Sequence, residues 1–94
     1  DLDFVDPAYA PGVETPECGG PSARETLSLL RTLQGLRLVG ADVVELNPLY
    51  DGPGQITALL GATVMAELLA ILAEERRDAR SKTKAKTPYS EERT

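Results

Sequence analysis

Two acidic residues at the start of the chain have the spacing of paired metal ligands. Asp1 and Asp3 are separated by one residue, so on a β-strand both carboxylates would project from the same face. Carboxylate oxygens are hard ligands that favour manganese or magnesium over zinc. The D-x-D spacing is also common by chance, and a solvated pair of acids is its usual interpretation.

A third acid, Glu45, follows an apolar run in the middle of the chain. If that run is a strand parallel to the first, Glu45 lies at the same carboxyl edge of the sheet as Asp1 and Asp3, where α/β proteins generally place their sites. A carboxylate held there could accept two parallel N–H bonds from a planar guanidinium group. A strand-end acid that reaches water or caps the next loop fits the position equally well.

Strand, loop, helix, strand and helix are the elements that would position these acids. Residues 1–5 alternate between polar and apolar and are followed by a proline-rich and glycine-rich loop at residues 7–21. Ser22 and Glu25 have capping-box spacing, which predicts a helix over residues 22–34 with Gly35 as its stop. Residues 36–46 are rich in β-branched residues, which predicts a strand buried on both faces. This order predicts an α/β fold with a parallel sheet.

The longest predicted helix covers residues 55–77. Its predicted inward face consists of Ile56, Leu59, Leu60, Val64, Leu68, Leu69 and Leu72. From residue 78 onward the chain is charged, and we expect a disordered tail over residues 78–94.

Composition limits the classes of partner and the size of the core. The net charge of -5 argues against a nucleic-acid partner. We expect no membrane partner either, because no apolar run reaches transmembrane length: the longest, residues 56–72, is interrupted by Thr57, Gly61, Thr63 and Glu67. Cys18 is the single cysteine, which suits a reducing cytoplasm. With no tryptophan and one phenylalanine among 94 residues, an independent core would be marginal.

Two longer patterns carry a resemblance to a known family. The run DLDFVDPAYAPG at residues 1–12, followed by TPE at 15–17 and GG at 19–20, resembles the third sequence signature of the ureohydrolases, which include agmatinase and arginase. The run VVELNP at residues 43–48, followed by YD at 50–51 and TALL at 57–60, is similar to the next block of that family. The tyrosine and aspartate after the proline resemble the agmatinase branch more than arginase.

The resemblance implies a three-layer α-β-α fold of the arginase and deacetylase type, of which residues 1–77 would be the C-terminal portion. It implies that Asp1 bridges two manganese ions and that Asp3 ligates one of them, although nickel stays open. It also implies that Glu45 binds the substrate guanidinium and that Thr15 lines the site. The implied reaction releases urea and an amine, as in polyamine metabolism, and the implied assembly is a trimer or hexamer.

Two departures from the family pattern qualify this hypothesis. Val13 and Glu14 replace the usual Thr-Gly, which removes a flexible glycine and adds a charge near the predicted substrate entrance. Glu14 suits a cationic substrate such as agmatine, although a surface-facing side chain explains it as well. The family's histidine-containing ligand segments also have no counterpart, because the chain has no histidine.

Three functions therefore compete. We favour a fragment of an agmatinase-like hydrolase that is completed by the remainder of the same domain and is inactive alone. A catalytically silent ureohydrolase-like subunit that acts in oligomer assembly is the first alternative. A small acidic interaction domain unrelated to metal is the second, and it requires both pattern matches to be coincidental.

Overall fold

The computed structural model describes the backbone of residues 1–85 and the side chains of residues 1–82. Two α-helices account for most of the regular structure in this part of the chain: α1 (Ala23–Arg31) and α2 (Ile56–Ala85). Short 3-10 helices span Leu2–Phe4 and Pro48–Tyr50. Within residues 1–85, β structure is limited to an isolated antiparallel bridge between Val13 and Leu46.

The prediction of a strand at residues 1–5 is wrong, because Leu2–Phe4 is a 3-10 helix. Its hydrogen bonds are local: the N–H of Phe4 donates to the carbonyl of Asp1 at 3.2 Å, and that of Val5 donates to Leu2 at 3.2 Å. A 3-10 helix repeats every three residues, so Leu2 and Val5 lie on one face. Both side chains are buried, at 4% and 2% exposure. The turn therefore buries two apolar residues that a strand would place on opposite faces.

Helix α1 begins where the capping box predicts. The Ser22 hydroxyl accepts the Glu25 N–H at 3.0 Å, and the Glu25 carboxylate accepts the Ser22 N–H at 3.0 Å. The helix ends at Arg31 rather than at residue 34, and tighter turns continue the chain to Gly35. The prediction that Gly35 stops the α-helix is therefore wrong by three residues, because the C-cap is Thr32; Gly35, with a φ of 88°, ends the turns that follow.

The prediction of a buried strand at residues 36–46 is also wrong. The segment pairs with no strand within the described residues, apart from the single bridge at Leu46. Much of it is exposed: Val39 at 96%, Leu36 at 53% and Leu46 at 40%. A strand is stabilised by its neighbours, so apolar β-branched residues alone do not make one. The apolar pattern of residues 36–46 therefore indicates side chains suited to burial, but these residues form no sheet within the described part of the chain.

Helix α2 starts one residue after its predicted start, and its buried face differs in part from the prediction. Thr57, Leu60, Val64 and Ile71 are buried at 0–8% exposure. Their spacing of three, four and seven residues follows one face of an α-helix. Leu68 and Leu72 are partly buried, as predicted. The predicted inward residues Ile56, Leu59 and Leu69 are instead 49%, 62% and 63% exposed, because apolar residues on α2 occupy more than one face.

The length and hydropathy of α2 contradict our expectation about membrane-spanning segments. Residues Ile56–Lys82 include an 18-residue window with a mean hydropathy of 2.1, long and apolar enough to cross a membrane by length and composition alone. Our expectation that no run reaches this length is therefore wrong, although core helices of soluble proteins pass the same test. The helix also continues through Ala85, eight residues beyond its predicted end at residue 77. The rest of the predicted disordered tail, residues 86–94, lies outside the described residues.

The core lies between the two helices and the N-terminal turn. Val5, Ala10, Leu60 and Val64 form its buried centre. The partly buried residues packed against them are Ala23, Leu27, Leu30, Val43 and Leu68. An ion pair of 2.8 Å between Arg31 and Glu67 joins the two helices at the surface. This packing fixes the N-terminal turn and the Val43 segment against α2, and those are the segments that carry the predicted site.

Candidate functional site

The N-terminal turn carries the two predicted metal ligands. Asp3 accepts a hydrogen bond from the Thr15 hydroxyl at 3.2 Å, so a predicted ligand and a predicted substrate-contacting residue are in direct contact. Asp1 is exposed and borders an open cavity of about 420 Å³ whose lining is mainly leucine and valine. Because the turn is not a strand, the argument that alternation places both carboxylates on one face no longer applies. The assignment of Asp1 and Asp3 as ligands stays a prediction.

Glu45 has an unusual backbone conformation and well-anchored neighbours. Its φ is 75°, in the left-handed region that costs a residue with a Cβ about 1–2 kcal/mol. On one side, the Val44 carbonyl accepts the Leu2 N–H at 3.1 Å. On the other, Leu46 forms the antiparallel bridge with Val13. Strained backbone persists only where its surroundings hold it in place, and such positions cluster at functional sites.

These two contacts bring the segments of all four predicted site residues together. Leu2 lies between Asp1 and Asp3, and it bonds the residue that precedes Glu45. Val13 lies two residues before Thr15 and pairs with the residue that follows Glu45. The chain therefore brings together the backbone segments that carry these four residues, through loop contacts rather than through a shared sheet edge.

Val13 and Glu14 have different environments. Val13 is 1% exposed and its backbone pairs with Leu46, which suits a β-branched residue in an extended conformation. Glu14 is exposed. The departure from the family's Thr-Gly thus adds a buried anchor at one residue and a solvent-facing charge at the next.

Asp6 organises the loop that carries Thr15. One carboxylate oxygen accepts the Ala8 N–H at 2.9 Å and the other accepts the Gly19 N–H at 2.9 Å. Hydrogen bonds from the backbone of Ala8 and then Gly19, with a smaller one from Gly20, lower the pKa of Asp6. The main-chain N–H of Asp6 also donates to the Pro21 carbonyl at 2.9 Å. Asp6 therefore bonds residues near both ends of the loop at residues 7–21.

A second polar network joins the same loop to the start of α2. The Gly12 N–H donates to the Thr57 hydroxyl at 2.8 Å, and Thr57 is 0% exposed. The Asp51 carboxylate accepts the N–H groups of Thr57 at 3.0 Å and Ala58 at 3.1 Å, which caps the free donors of the helix. Partial burial alone would raise the pKa of Asp51, but the hydrogen bonds from Thr57 and Ala58 outweigh it, and the net shift is downward.

Sequence reasoning assigned no role to Asp6, Asp51 or Thr57. The usual capping signal does not indicate Asp51, because it lies five residues before the first residue of α2 and not at the N-cap position that favours aspartate. The contact between Gly12 and Thr57 spans 45 residues, so no local pattern could indicate it.

The donor set fits only part of a divalent-cation site. Asp1 and Asp3 supply carboxylate oxygens, which suit manganese or magnesium. Residues 1–85 contain no group of three or more histidine, cysteine or acidic residues placed to hold a metal ion. A complete coordination shell would therefore need ligands from outside the described part of the chain.

The pattern of acids, loops and helices matches a known family. A family model for the Arginase family matches residues 1–71. This chain belongs to the Arginase family. Its Arginase-family relatives include guanidinopropionase from Pseudomonas aeruginosa, 57% identical over 74 residues, and agmatinase from Photorhabdus laumondii, 51% identical over 77 residues. These alignments cover 79% and 82% of this chain but only 23% and 25% of the relatives.

Solved structures of the Arginase family have the same fold over this region. A hypothetical agmatinase from Burkholderia thailandensis matches with a TM-score of 0.75 at 46% identity, covering 84% of this chain and 24% of the other. Proclavaminate amidino hydrolase from Streptomyces clavuligerus matches with a TM-score of 0.76 at 51% identity, covering 80% of this chain and 25% of the other. An arginase from Bacillus subtilis is 38% identical with a TM-score of 0.67.

The Arginase-family match confirms the predicted fold class and the predicted resemblance. The solved relatives are α/β proteins, although the described part of this chain is mostly helical. The chain spans about a quarter of the length of the relatives it matches. The unpaired apolar segment at residues 36–46 is consistent with a strand whose neighbours belong to the rest of such a fold.

Proposed function

We propose that this chain is the C-terminal part of a two-metal hydrolase that cleaves a guanidino compound to urea and an amine, in the manner of agmatinase. The observation that carries the proposal is the anchoring of Glu45. Its strained backbone is held between a bond to the turn of Asp1 and Asp3 and a bridge to the loop of Thr15. A carboxylate whose backbone is held against the turn of Asp1 and Asp3 adds negative charge to this region, which suits a cationic guanidinium.

Each site residue has a distinct role in this proposal. The Glu45 carboxylate accepts hydrogen bonds from the substrate guanidinium, and Thr15 lines the site beside Asp3. Asp1 and Asp3 hold two manganese ions, or nickel ions, with ligands from the remainder of the domain. Such a pair of cations supplies positive charge that lowers the pKa of the attacking water.

The reaction that these groups serve conserves all atoms of substrate and water. The oxygen of a water molecule forms a bond to the guanidinium carbon, and the bond from that carbon to the substituted nitrogen breaks. The nitrogen leaves as an ammonium group that carries both protons of the water, and the carbon keeps the new oxygen as neutral urea. Fixing the guanidinium plane against Glu45 orients the carbon for attack.

The guanidino substrate itself is a separate part of the proposal. The relatives are named for different compounds, among them guanidinopropionase and agmatinase. The exposed Glu14 favours a substrate with a second positive charge. Urea release from guanidino amines and guanidino acids, measured side by side, would test this preference. Faster release from the acids would contradict the role of Glu14.

Partners of the chain follow from its uncovered apolar surface. Leu59, Met65 and Leu69 on α2 are 62%, 53% and 63% exposed. Monomeric soluble proteins rarely leave contiguous apolar patches uncovered. We propose that the remainder of the same domain covers this surface, within a homo-oligomer such as a trimer or hexamer. The proposed compartment is the cytoplasm, where the exposed thiol of Cys18 stays reduced.

Substitution of Glu45 in the complete protein tests the proposed function. Glu45→Gln removes the charge that pairs with the guanidinium, and we expect a loss of about 2 kcal/mol of transition-state stabilisation, or about thirtyfold in kcat/KM. The matched control is Glu74→Gln, an exposed acid of α2 outside both family patterns, which should retain wild-type kinetics. Urea release measured with added manganese reports the result. Unchanged kcat/KM in Glu45→Gln would refute the role of this residue.

Measurements on the complete wild-type protein distinguish the proposed hydrolase from the alternative of a catalytically silent subunit. A complete protein that binds two manganese ions and releases urea excludes it. A complete protein that assembles into oligomers, binds no metal and releases no urea supports it. The coding sequence upstream of Asp1 gives the same distinction, because the hydrolase requires histidine and aspartate ligands there.

A further inference from the structure

The buried hydroxyl of Thr57 connects the two segments that carry Thr15 and Glu45. Thr57 is 0% exposed and lies in the first turn of α2. Its hydroxyl accepts the Gly12 N–H at 2.8 Å, and its main-chain N–H donates to the Asp51 carboxylate at 3.0 Å. Both the side chain and the backbone of Thr57 therefore bond groups outside the helix.

Gly12 also hydrogen-bonds the segment that carries Glu45. While its N–H is bound to Thr57, its carbonyl accepts the Asn47 N–H at 2.7 Å. The next residue, Val13, pairs with Leu46. Both backbone polar groups of Gly12 are thus hydrogen-bonded. The N–H bonds α2, and the carbonyl bonds Asn47, two residues after Glu45.

The space around Gly12 shows how closely these parts fit. A Cβ added at Gly12 would lie 2.9 Å from the Cβ and Cγ of Asp51 and 3.0 Å from the Cβ of Thr57. Only a residue without a side chain lets the loop approach α2 to this distance. The loop therefore has one position relative to the start of the helix, and that position is set by Thr57 and Asp51.

We infer that Thr57 is a positioning residue, which fixes the separation between the Thr15 loop and the Glu45 backbone through Gly12 and Asn47. The inference rests on the proposed function for its effect on catalysis. The long-range hydrogen bonds of Thr57 join it to Gly12 and Asp51 and not to a predicted ligand or substrate-binding residue, so it acts through the loop. A shift of the loop by even a fraction of an ångström changes how Thr15 and Glu45 face a shared substrate.

The informative variants keep or remove the hydroxyl with little change in volume. Thr57→Val is nearly isosteric and leaves the Gly12 N–H buried without an acceptor. Thr57→Ser retains the hydroxyl and should rescue the function. Thr63→Val is the matched control, because Thr63 is an exposed threonine of the same helix whose hydroxyl bonds only the Leu59 carbonyl, at 2.9 Å. All three are made in the complete protein.

Kinetics of urea release separate positioning from mere stabilisation. We expect Thr57→Val to lower kcat/KM about tenfold or more, with Thr57→Ser and Thr63→Val within about threefold of wild type. Combined with Glu45→Gln, Thr57→Val should cost less than the product of the two single effects, because both act on the same contact. A lower melting temperature with unchanged kcat/KM, or effects that multiply independently, would overturn the inference.

Amide hydrogen exchange gives a readout that needs no activity. Thr57→Val should accelerate exchange at Gly12 and also at Asn47, while the Thr32 amide at the end of α1 keeps its wild-type rate. Unchanged exchange at Gly12 and Asn47 would overturn the inference even in an active enzyme. If the wild-type protein releases no urea, the proposed function fails, and the exchange result alone decides whether Thr57 couples the two segments.

Discussion

Gly20 is the residue at which a single added methyl group should disturb the site most directly. A Cβ built there would lie 2.5 Å from the Phe4 carbonyl oxygen, 2.8 Å from the Asp6 nitrogen and 3.2 Å from the Val5 carbonyl carbon. All three are backbone atoms, so no change of side-chain rotamer can relieve the overlap. Gly20 does not have a positive φ, so the effect of Gly20→Ala is one of space and not of backbone conformation.

The expected loss of stability follows from the two contacts that must give way. Forcing a methyl group into a filled space costs about 1–3 kcal/mol. Separating the loop from the turn also weakens the bond between the Asp6 N–H and the Pro21 carbonyl, 2.9 Å long, which contributes about 1 kcal/mol. Alanine restricts the unfolded chain and returns about 0.4–1 kcal/mol. We therefore expect Gly20→Ala to destabilise the complete protein by about 1–3 kcal/mol.

Denaturant unfolding of the complete protein measures this loss against a matched control. A Cβ added at Gly52 meets no atom within 4 Å, and Gly52 lacks a positive φ, so Gly52→Ala should be neutral or slightly stabilising. Because the turn displaced by Gly20→Ala carries Asp3, this variant should also bind manganese more weakly. Equal unfolding midpoints for the two variants would refute the close packing of loop and turn. The contact between Asp3 and Thr15 would then have no rigid support.

Two further predictions concern the cap of α1 and the response to acid. Ser22→Ala removes the acceptor of the Glu25 N–H and should lower the free energy of unfolding by about 1 kcal/mol. Ser28→Ala, on the exposed face of the same helix, should leave it unchanged. Equal unfolding midpoints for the two variants would contradict the capping role. The pKa values of Asp6 and Asp51 are lowered in the folded state from 3.8, so the unfolded chain binds more protons as the pH falls through that value, and stability should decline there. Asp6→Asn should flatten this decline in acid-unfolding curves, and an unaltered curve would show that Asp6 is not the group responsible.

Local patterns predicted the helices of this chain because the causes of helix formation are local. The capping box of Ser22 and Glu25 fixes the start of α1, and the start of α2 lies within one residue of its prediction. The strands failed for the opposite reason. Val39 and its neighbours are apolar enough for a buried strand, but a strand needs partners, and residues 1–85 do not supply them. Periodicity likewise could not choose which apolar face of α2 is covered, so Leu59 and Leu69 were misassigned.

The candidate site divides in the same way between the predicted ligands and substrate-binding residues and the residues that hold their segments in place. Asp1, Asp3, Thr15 and Glu45 were predicted from a family resemblance, and the structure gathers their segments. Their supports were not predicted, because the bond from Gly12 to Thr57 joins positions 45 residues apart.

Loop hydrogen bonds, not a sheet, join the segments that carry Asp3, Thr15 and Glu45. The bond from Leu2 to Val44 and the bridge from Val13 to Leu46 flank Glu45, and each is a single backbone contact. A pair of single contacts has little cooperativity of its own, so the position of Glu45 depends on the carboxylates of Asp6 and Asp51 that fix the loops behind it. Polar residues outside the predicted site therefore hold the segments that carry it. For the proposed function, we expect substitutions at Asp6 and Asp51 to lower kcat/KM at temperatures below those that unfold the helices.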